Sequence, residues 1–174
     1  MTDEYSTALE GNAGNLFTTD PDLGEVNRNL GMMAGTSPSV VLLRSNLYAV
    51  AFQANTGHLW TLDPDLGAKD RGLVMKPGTS PSITRLSDTL YAVAFQGSNG
   101  DLWTMDPSNA GWDRGLGMMA DTSPSIFFNP GAPSETGTGT ETGTDDTGTD
   151  DTDDGGDAVR HPVPHRGPSR TARQ

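Results

Sequence analysis

The feature that most constrains this chain is a repeat of 43 residues that runs without a gap. Tyr5, Tyr48 and Tyr91 are 43 residues apart, as are Phe17, Trp60 and Trp103. Asp20-Pro21, Asp63-Pro64 and Asp106-Pro107 follow in register, then Arg28, Arg71 and Arg114, then the Ser-Pro-Ser triplets at 37, 80 and 123. Between Leu47–Ile83 and Leu90–Ile126, 23 of 37 positions are identical. A fixed period of this length is the signature of stacked or radially arranged units that each bury a face on the next.

Within a repeat, the pattern is that of short strands. In Tyr48–Gln53 large and small side chains alternate, with Tyr48, Val50 and Phe52 on one face and Ala49, Ala51 and Gln53 on the other. Neither face is strongly polar, so both are expected to be covered, the bulky face nesting on the small face of the next repeat. Gly57, at the place of Gly14 and Gly100, is expected to turn the chain at positive φ. A second strand is expected over His58–Leu62, a loop over Asp63–Gly67, a short third strand near Arg71–Met75 and a fourth over Ile83–Leu86. No apolar i, i+3, i+4 pattern persists, and Gly and Pro interrupt too often for helices. Four short strands per 43 residues fit a β-propeller blade better than a β-solenoid coil.

The expected fold class is therefore all-β, with three four-stranded propeller blades in residues 1–130 (repeats at about 5–47, 48–90 and 91–130). Three blades fall short of the four to eight that close a ring. The strand-like Ser123–Phe128 would precede a position such as Tyr5, so these two ends are complementary. Self-association to complete a ring, or membership of a longer propeller, follows as an expectation. Residues 131–157 are Thr, Gly and Asp-rich, with nine acids and no base, and are read as a disordered acidic linker. Residues 158–174 carry four Arg and no acid and are read as a disordered basic tail.

Composition narrows the function. The net charge is −12, and residues 1–130 hold fourteen acids against seven bases, which disfavours a nucleic-acid surface. There is no Cys, which excludes disulfides and thiolate metal sites. No apolar run approaches a membrane span, and no basic region followed by an apolar run marks a signal peptide. No nucleophile elbow, metalloprotease helix or phosphate loop appears, so the chain is read as non-catalytic, with no cofactor and no metal. His161 and His165 have metal-like spacing only on a helix, which their Pro-rich setting disfavours.

At AFQANTGHLWT, DRGLVM and GTSPSI, and at DRGLGMMADTSPSI in the next repeat, the chain resembles bacterial tectonin-like and fucose-lectin-like β-propellers. The resemblance covers about residues 5–128. It implies glycan or cell-surface polysaccharide binding at shallow sites between neighbouring blades, and a secreted setting. Candidate ligand residues are Trp60 and Trp103, whose indoles would pack on a sugar's C–H face or wedge between blades. Trp112 is a second candidate, because no aromatic recurs at its place. Gln53 and Gln96 offer amides to a sugar or to turn backbone. The pairs Asp70-Arg71 and Asp113-Arg114 offer acceptors and forked donors to a sugar, or hydrogen bonds between blades. Asp20, Asp63 and Asp106 recur with the fold and are read as turn formers. The function so expected is a multivalent, non-catalytic lectin-like module. The alternatives are a protein-interaction scaffold, an accessory targeting module detached from a larger secreted protein, or an inactive gene fragment.

Overall fold

The computed structural model describes residues 5–20 and 23–131, with the side chain of Asp20 left out. The acidic and basic segments read from the sequence, including His161 and His165, lie outside the described residues beyond Gly131. All described secondary structure is β. The strands are β1 (Thr7–Glu10), β2 (Asn15–Asp20), β3 (Gly24–Gly31), β4 (Ser39–Arg44), β5 (Leu47–Gln53), β6 (His58–Asp63), β7 (Gly67–Val74), β8 (Ser82–Arg85), β9 (Tyr91–Gln96), β10 (Asp101–Met105) and β11 (Gly111–Gly117). They form three antiparallel meanders, in the orders β1-β2-β3, β4-β5-β6-β7 and β8-β9-β10-β11.

Strand positions follow the alternation closely, and the cut between sheets does not. The strand expected to close the second repeat, β8, pairs instead with β9, placing Ile83 opposite Val93 and Arg85 opposite Tyr91. In the same way β4 pairs with β5. The Ser-Pro-Ser triplets at 37 and 80 thus open sheets rather than ending them. A repeat fixes spacing but not phase, and the phase is set here by the short reversals at Ser45-Asn46 and 86–90, which leave room only for neighbours in one sheet. The first sheet has three strands among the described residues, not four, and residues 123–128 form no strand. The third strand starts earlier than expected, at Gly67, because Asp63 tightens the preceding turn. Its Oδ1 accepts the N–H groups of Asp65 (2.8 Å) and Leu66 (3.0 Å).

Both faces of the central strands are covered, in the direction opposite to that expected. Tyr91, Val93 and Phe95 pack on Ala49 and Ala51 of the preceding repeat, with Leu59 and Met75. Tyr48, Val50 and Phe52 pack likewise towards Leu16, Met32 and Ala8. The bulky face therefore nests on the repeat before it. The choice follows from the handed twist of the strands, which an alternating pattern does not encode.

Two sets of hydrogen bonds repeat at both sheet-to-sheet joints, and a third repeats between successive Ser-Pro-Ser segments. Arg28 donates from Nε to Thr18 (2.8 Å) and from Nη2 to the Tyr48 hydroxyl (2.7 Å); Arg71 does the same to Thr61 (2.7 Å) and Tyr91 (2.8 Å). The exits of β3 and β7 bond backbone of the next repeat. Met33 N–H reaches Gln53 O at 2.9 Å and Asn55 N–H reaches Gly31 O at 3.1 Å; Lys76 to Gln96 O (2.9 Å) and Ser98 to Val74 O (3.1 Å) are their counterparts. Serine hydroxyls link the sheet-opening segments. Ser39 Oγ accepts from Ile83 N–H and Ser82 Oγ from Ile126 N–H, both at 3.2 Å. The last bond seats residues 123–126 against β8 as β8 is seated against β4.

Candidate functional site

The Asp-Arg-Gly triplet builds the site by shaping backbone. Asp70 Oδ1 accepts the N–H of Gly72 at 2.8 Å, and Asp113 Oδ1 that of Gly115 at 2.8 Å. In the first repeat Asn27 does this for Asn29. The residue so held is left-handed each time, with φ of 54° at Asn29, 66° at Gly72 and 62° at Gly115. Pairing slips here in all three sheets, for example between His58–Val74 and Trp60–Asp70. This bulge re-aims the ends of β3 and β7 towards the next repeat, as bulges do beside functional sites.

Two pockets result, and they are the same pocket repeated. One, of about 180 Å³, is lined by Asn29, Leu30, Gly31, Phe52, Asn55 and Trp60. The other, of about 250 Å³, is lined by Gly72, Leu73, Val74, Phe95, Ser98 and Trp103, each 43 residues on. The bulged strand supplies one wall and the next repeat the other. Phe52 and Trp60 lie with ring centroids 6.4 Å apart, and Phe95 and Trp103 6.3 Å. A recess of about 380 Å³ at Leu9, Asn12 and Phe17 holds the matching half of a third such pocket.

The two complete pockets differ in polar detail. Trp103 donates its indole N–H to Asn99 Oδ1 at 3.1 Å, and the Asn99 amide nitrogen bridges Asp101 (2.8 Å) and Asp113 (2.9 Å). Thr56 stands where Asn99 does, and the enclosed Trp60 N–H completes no hydrogen bond among the described residues. His58 Nδ1 lies 3.0 Å from Asp70. Partial desolvation pushes the Asp70 carboxyl up, but the Gly72 N–H, the His58 side chain and the neighbouring Trp60 together leave it below the ordinary aspartate value.

Of the residues singled out in the sequence, Trp60 and Trp103 line these pockets. Gln53 and Gln96 do not. Both are fully buried; Gln53 donates to Lys76 O (3.0 Å) and accepts from Gly78 N–H (3.1 Å), and Gln96 donates to Gly100 O (3.0 Å). Arg71 is spent on Thr61, Tyr91 and Asn109, so it is a staple between sheets. Among the described residues Arg114 donates to Thr104 at 2.8 Å, and it is exposed. Asp70 and Asp113 shape the bulge at the pocket's edge. Trp112 is 54% exposed and donates to Asp106 Oδ2 at 3.0 Å. It pairs with Thr104, next to the Trp103–Asp113 pair, so it stands on the opposite face from Trp103.

The pocket residues missed in the sequence are Phe52, Asn55, Phe95 and Ser98 on one wall and, on the bulged strand, Asn29, Leu30 and Gly31 with Gly72, Leu73 and Val74. The signal for the bulged-strand wall was the Asp/Asn-Arg-Gly/Asn triplet, whose third residue needs positive φ. A separate recess of about 320 Å³ near Arg28, Tyr48 and Asp63 has its charged groups already engaged. Among the described residues no group of three His, Asp or Glu is placed to hold a metal ion, and no helix is long and apolar enough to cross a membrane. No model of a known protein family matches the chain, and no curated protein matches it.

Proposed function

We propose that this chain is a non-catalytic, multivalent glycan-binding module whose sheets are blades of a β-propeller. The observation that carries the reading is the duplicate pocket. Two shallow recesses of one design recur at 43-residue spacing, each with a Trp beside a Phe, an aliphatic wall and one or two small polar groups. Aromatic planes suit the C–H faces of a pyranose, while amides and hydroxyls suit its hydroxyl groups. Weak sites held on one rigid frame gain by avidity, which rewards repetition more than depth. The likeness to tectonin-like and fucose-lectin-like propellers supports the same reading, as does the acidic surface, which steers away from nucleic acid.

The test is a glycan array probed with the full chain, beside Asn55→Trp and Val74→Trp. Both positions are exposed at the pocket mouths, so a large ring there plugs a pocket without disturbing the core. Binding that falls with each plug and disappears with both supports the reading. Binding that survives both plugs moves the ligand elsewhere. An intact chain that binds no glycan but captures a protein partner favours the interaction-scaffold alternative.

A further inference from the structure

The joint between sheets is built twice inside the chain, and the two outer sheets each present one unmatched half of it. On the first sheet Tyr5 is 63% exposed and Leu9 44% exposed, the places held by Tyr48 and Phe52 in the second. Among the described residues the Tyr5 hydroxyl has no Arg, and the Arg114 guanidinium has no Tyr. Leu116 is 61% exposed, at the place where Leu30 and Leu73 wall the pockets. The recess at Leu9, Asn12 and Phe17 has only the other wall. Among the described residues the first sheet consists of β1-β2-β3 with an open edge at β1, and residues 123–126 sit against β8 outside any strand.

We infer that a second copy of this chain fills these places: its residues 125–128 become the fourth strand beside β1, and its Leu116 closes a third pocket over Leu9, Asn12 and Phe17. The internal joints fix the register. Thr84 faces Ala92 and Arg85 faces Tyr91 in the third sheet, so Phe127 of one copy faces Ser6 of the other, and Phe128 faces Tyr5. Arg114 donates to the Tyr5 hydroxyl, Met119 N–H to Glu10 O, and Asn12 N–H to Gly117 O. Each bond repeats one already made twice within the chain. Addition of a strand to an open edge supplies main-chain bonds and register together. The joint is head-to-tail, and it closes only if the rotation allows. The described sheets of two copies number six, within the four to eight of closed rings. Phe127 is 81% exposed and Trp112 54%, and aromatic residues are the class enriched at interfaces. The strand joint stands on its own; that the third pocket takes a glycan rests on the reading proposed above.

The chain has no Cys, so single cysteines report the joint cleanly. Ser6→Cys and Phe127→Cys are made in separate full-length chains, mixed and oxidised. A disulfide-linked pair forms on mixing, and Leu9→Cys, out of register, gives none with Phe127→Cys. Sedimentation equilibrium of the unmodified chain gives a mass approaching twice 18.3 kDa, returning to one chain on dilution. A Phe17→Trp variant, which copies the residue of the complete pockets, shows a blue shift in emission as the copies join, and Leu116→Gly in the partner lessens it. A mass of one chain throughout with no cross-link overturns the joint. A cross-link without the Phe17→Trp shift overturns the third pocket. Association with no glycan bound at any pocket upholds the joint and sinks the glycan reading alone.

Discussion

Asn99 and Thr56 show how one residue divides two otherwise equal pockets. With Asn99 the Trp103 N–H has an amide acceptor; with Thr56 the enclosed Trp60 N–H completes no hydrogen bond among the described residues and has only its attraction to the Asp70 carboxylate. An enclosed, unmade hydrogen bond costs on the order of 1–3 kcal/mol. Thr56→Asn is therefore expected to raise stability by at most about 1 kcal/mol, because the Asp70 carboxylate already offsets part of that cost, measurable as a higher urea midpoint at unchanged slope. The adjacent glycine acts through shape. A Cβ on Gly97 would lie 2.4 Å from Trp103 Cδ1, whereas Ala54 is accommodated at the same place. Gly97→Ala must displace the Trp103 ring, and its emission and the ligand affinity of that pocket change while Trp60's pocket does not. Charge gives a further residue-level expectation. Hydrogen bonds from Ser108 and then Trp112 hold the Asp106 carboxyl below its ordinary value of 3.8, and Asp70 is also lowered. A carboxyl lowered on folding stabilises above its unfolded pKa, and that contribution is lost as pH falls through the folded value. Thermal midpoints should thus be flat above about pH 5 and fall below about pH 4. Asp106→Asn should flatten the fall, and an unchanged acid limb in that variant would count against Asp106.

At the scale of the strand, the sequence was legible wherever side chains alternate. Tyr48–Gln53 and His58–Leu62 are strands within a residue of where alternation puts them, and the turn glycines have positive φ, 83° at Gly57 and 90° at Gly100. Asp63 and Asp106 hold turns by accepting backbone N–H groups, as their place before proline implies. The bulge was not legible as a device, because Asp-Arg reads equally as a ligand pair. Only the geometry shows Asp70 turned onto Gly72 and Arg71 onto the next sheet. Asn29 occupies the same left-handed place as Gly72, and Asn tolerates it better than other side chains. Gly72→Asn should therefore cost little, whereas Gly72→Val should cost more than about 1 kcal/mol and also loosen the pocket wall at Leu73. Parallel losses of stability for Asn and Val would mean that φ is not what the position selects.

At the scale of the whole molecule, the repeat displays its joints but not their direction or their number. That Tyr48 looks back to Arg28, not forward, depends on strand twist, and the closing of a set of sheets depends on surfaces that no single repeat contains. Proteins of this kind have stabilities that sum repeat and neighbour contributions, which makes the Arg–Tyr staple separable. Tyr91→Phe removes the acceptor of Arg71 and one partner of Thr61 while keeping the ring that packs on Ala49 and Ala51. Its cost should be on the order of 1–3 kcal/mol, since a charged donor loses a part-buried partner. In a cycle with Arg71→Met the two should couple by about 0.5–3 kcal/mol. Tyr5→Phe is the informative contrast. Within one chain its hydroxyl bonds nothing among the described residues, so dilute stability should not change. If Arg114 of a second copy supplies the staple, the same variant weakens association at high concentration. A penalty for Tyr91→Phe at every concentration, beside a penalty for Tyr5→Phe only where copies meet, would show one joint serving inside the chain and between chains. A Tyr5→Phe variant that associates as tightly as the parent would remove Arg114 from that joint.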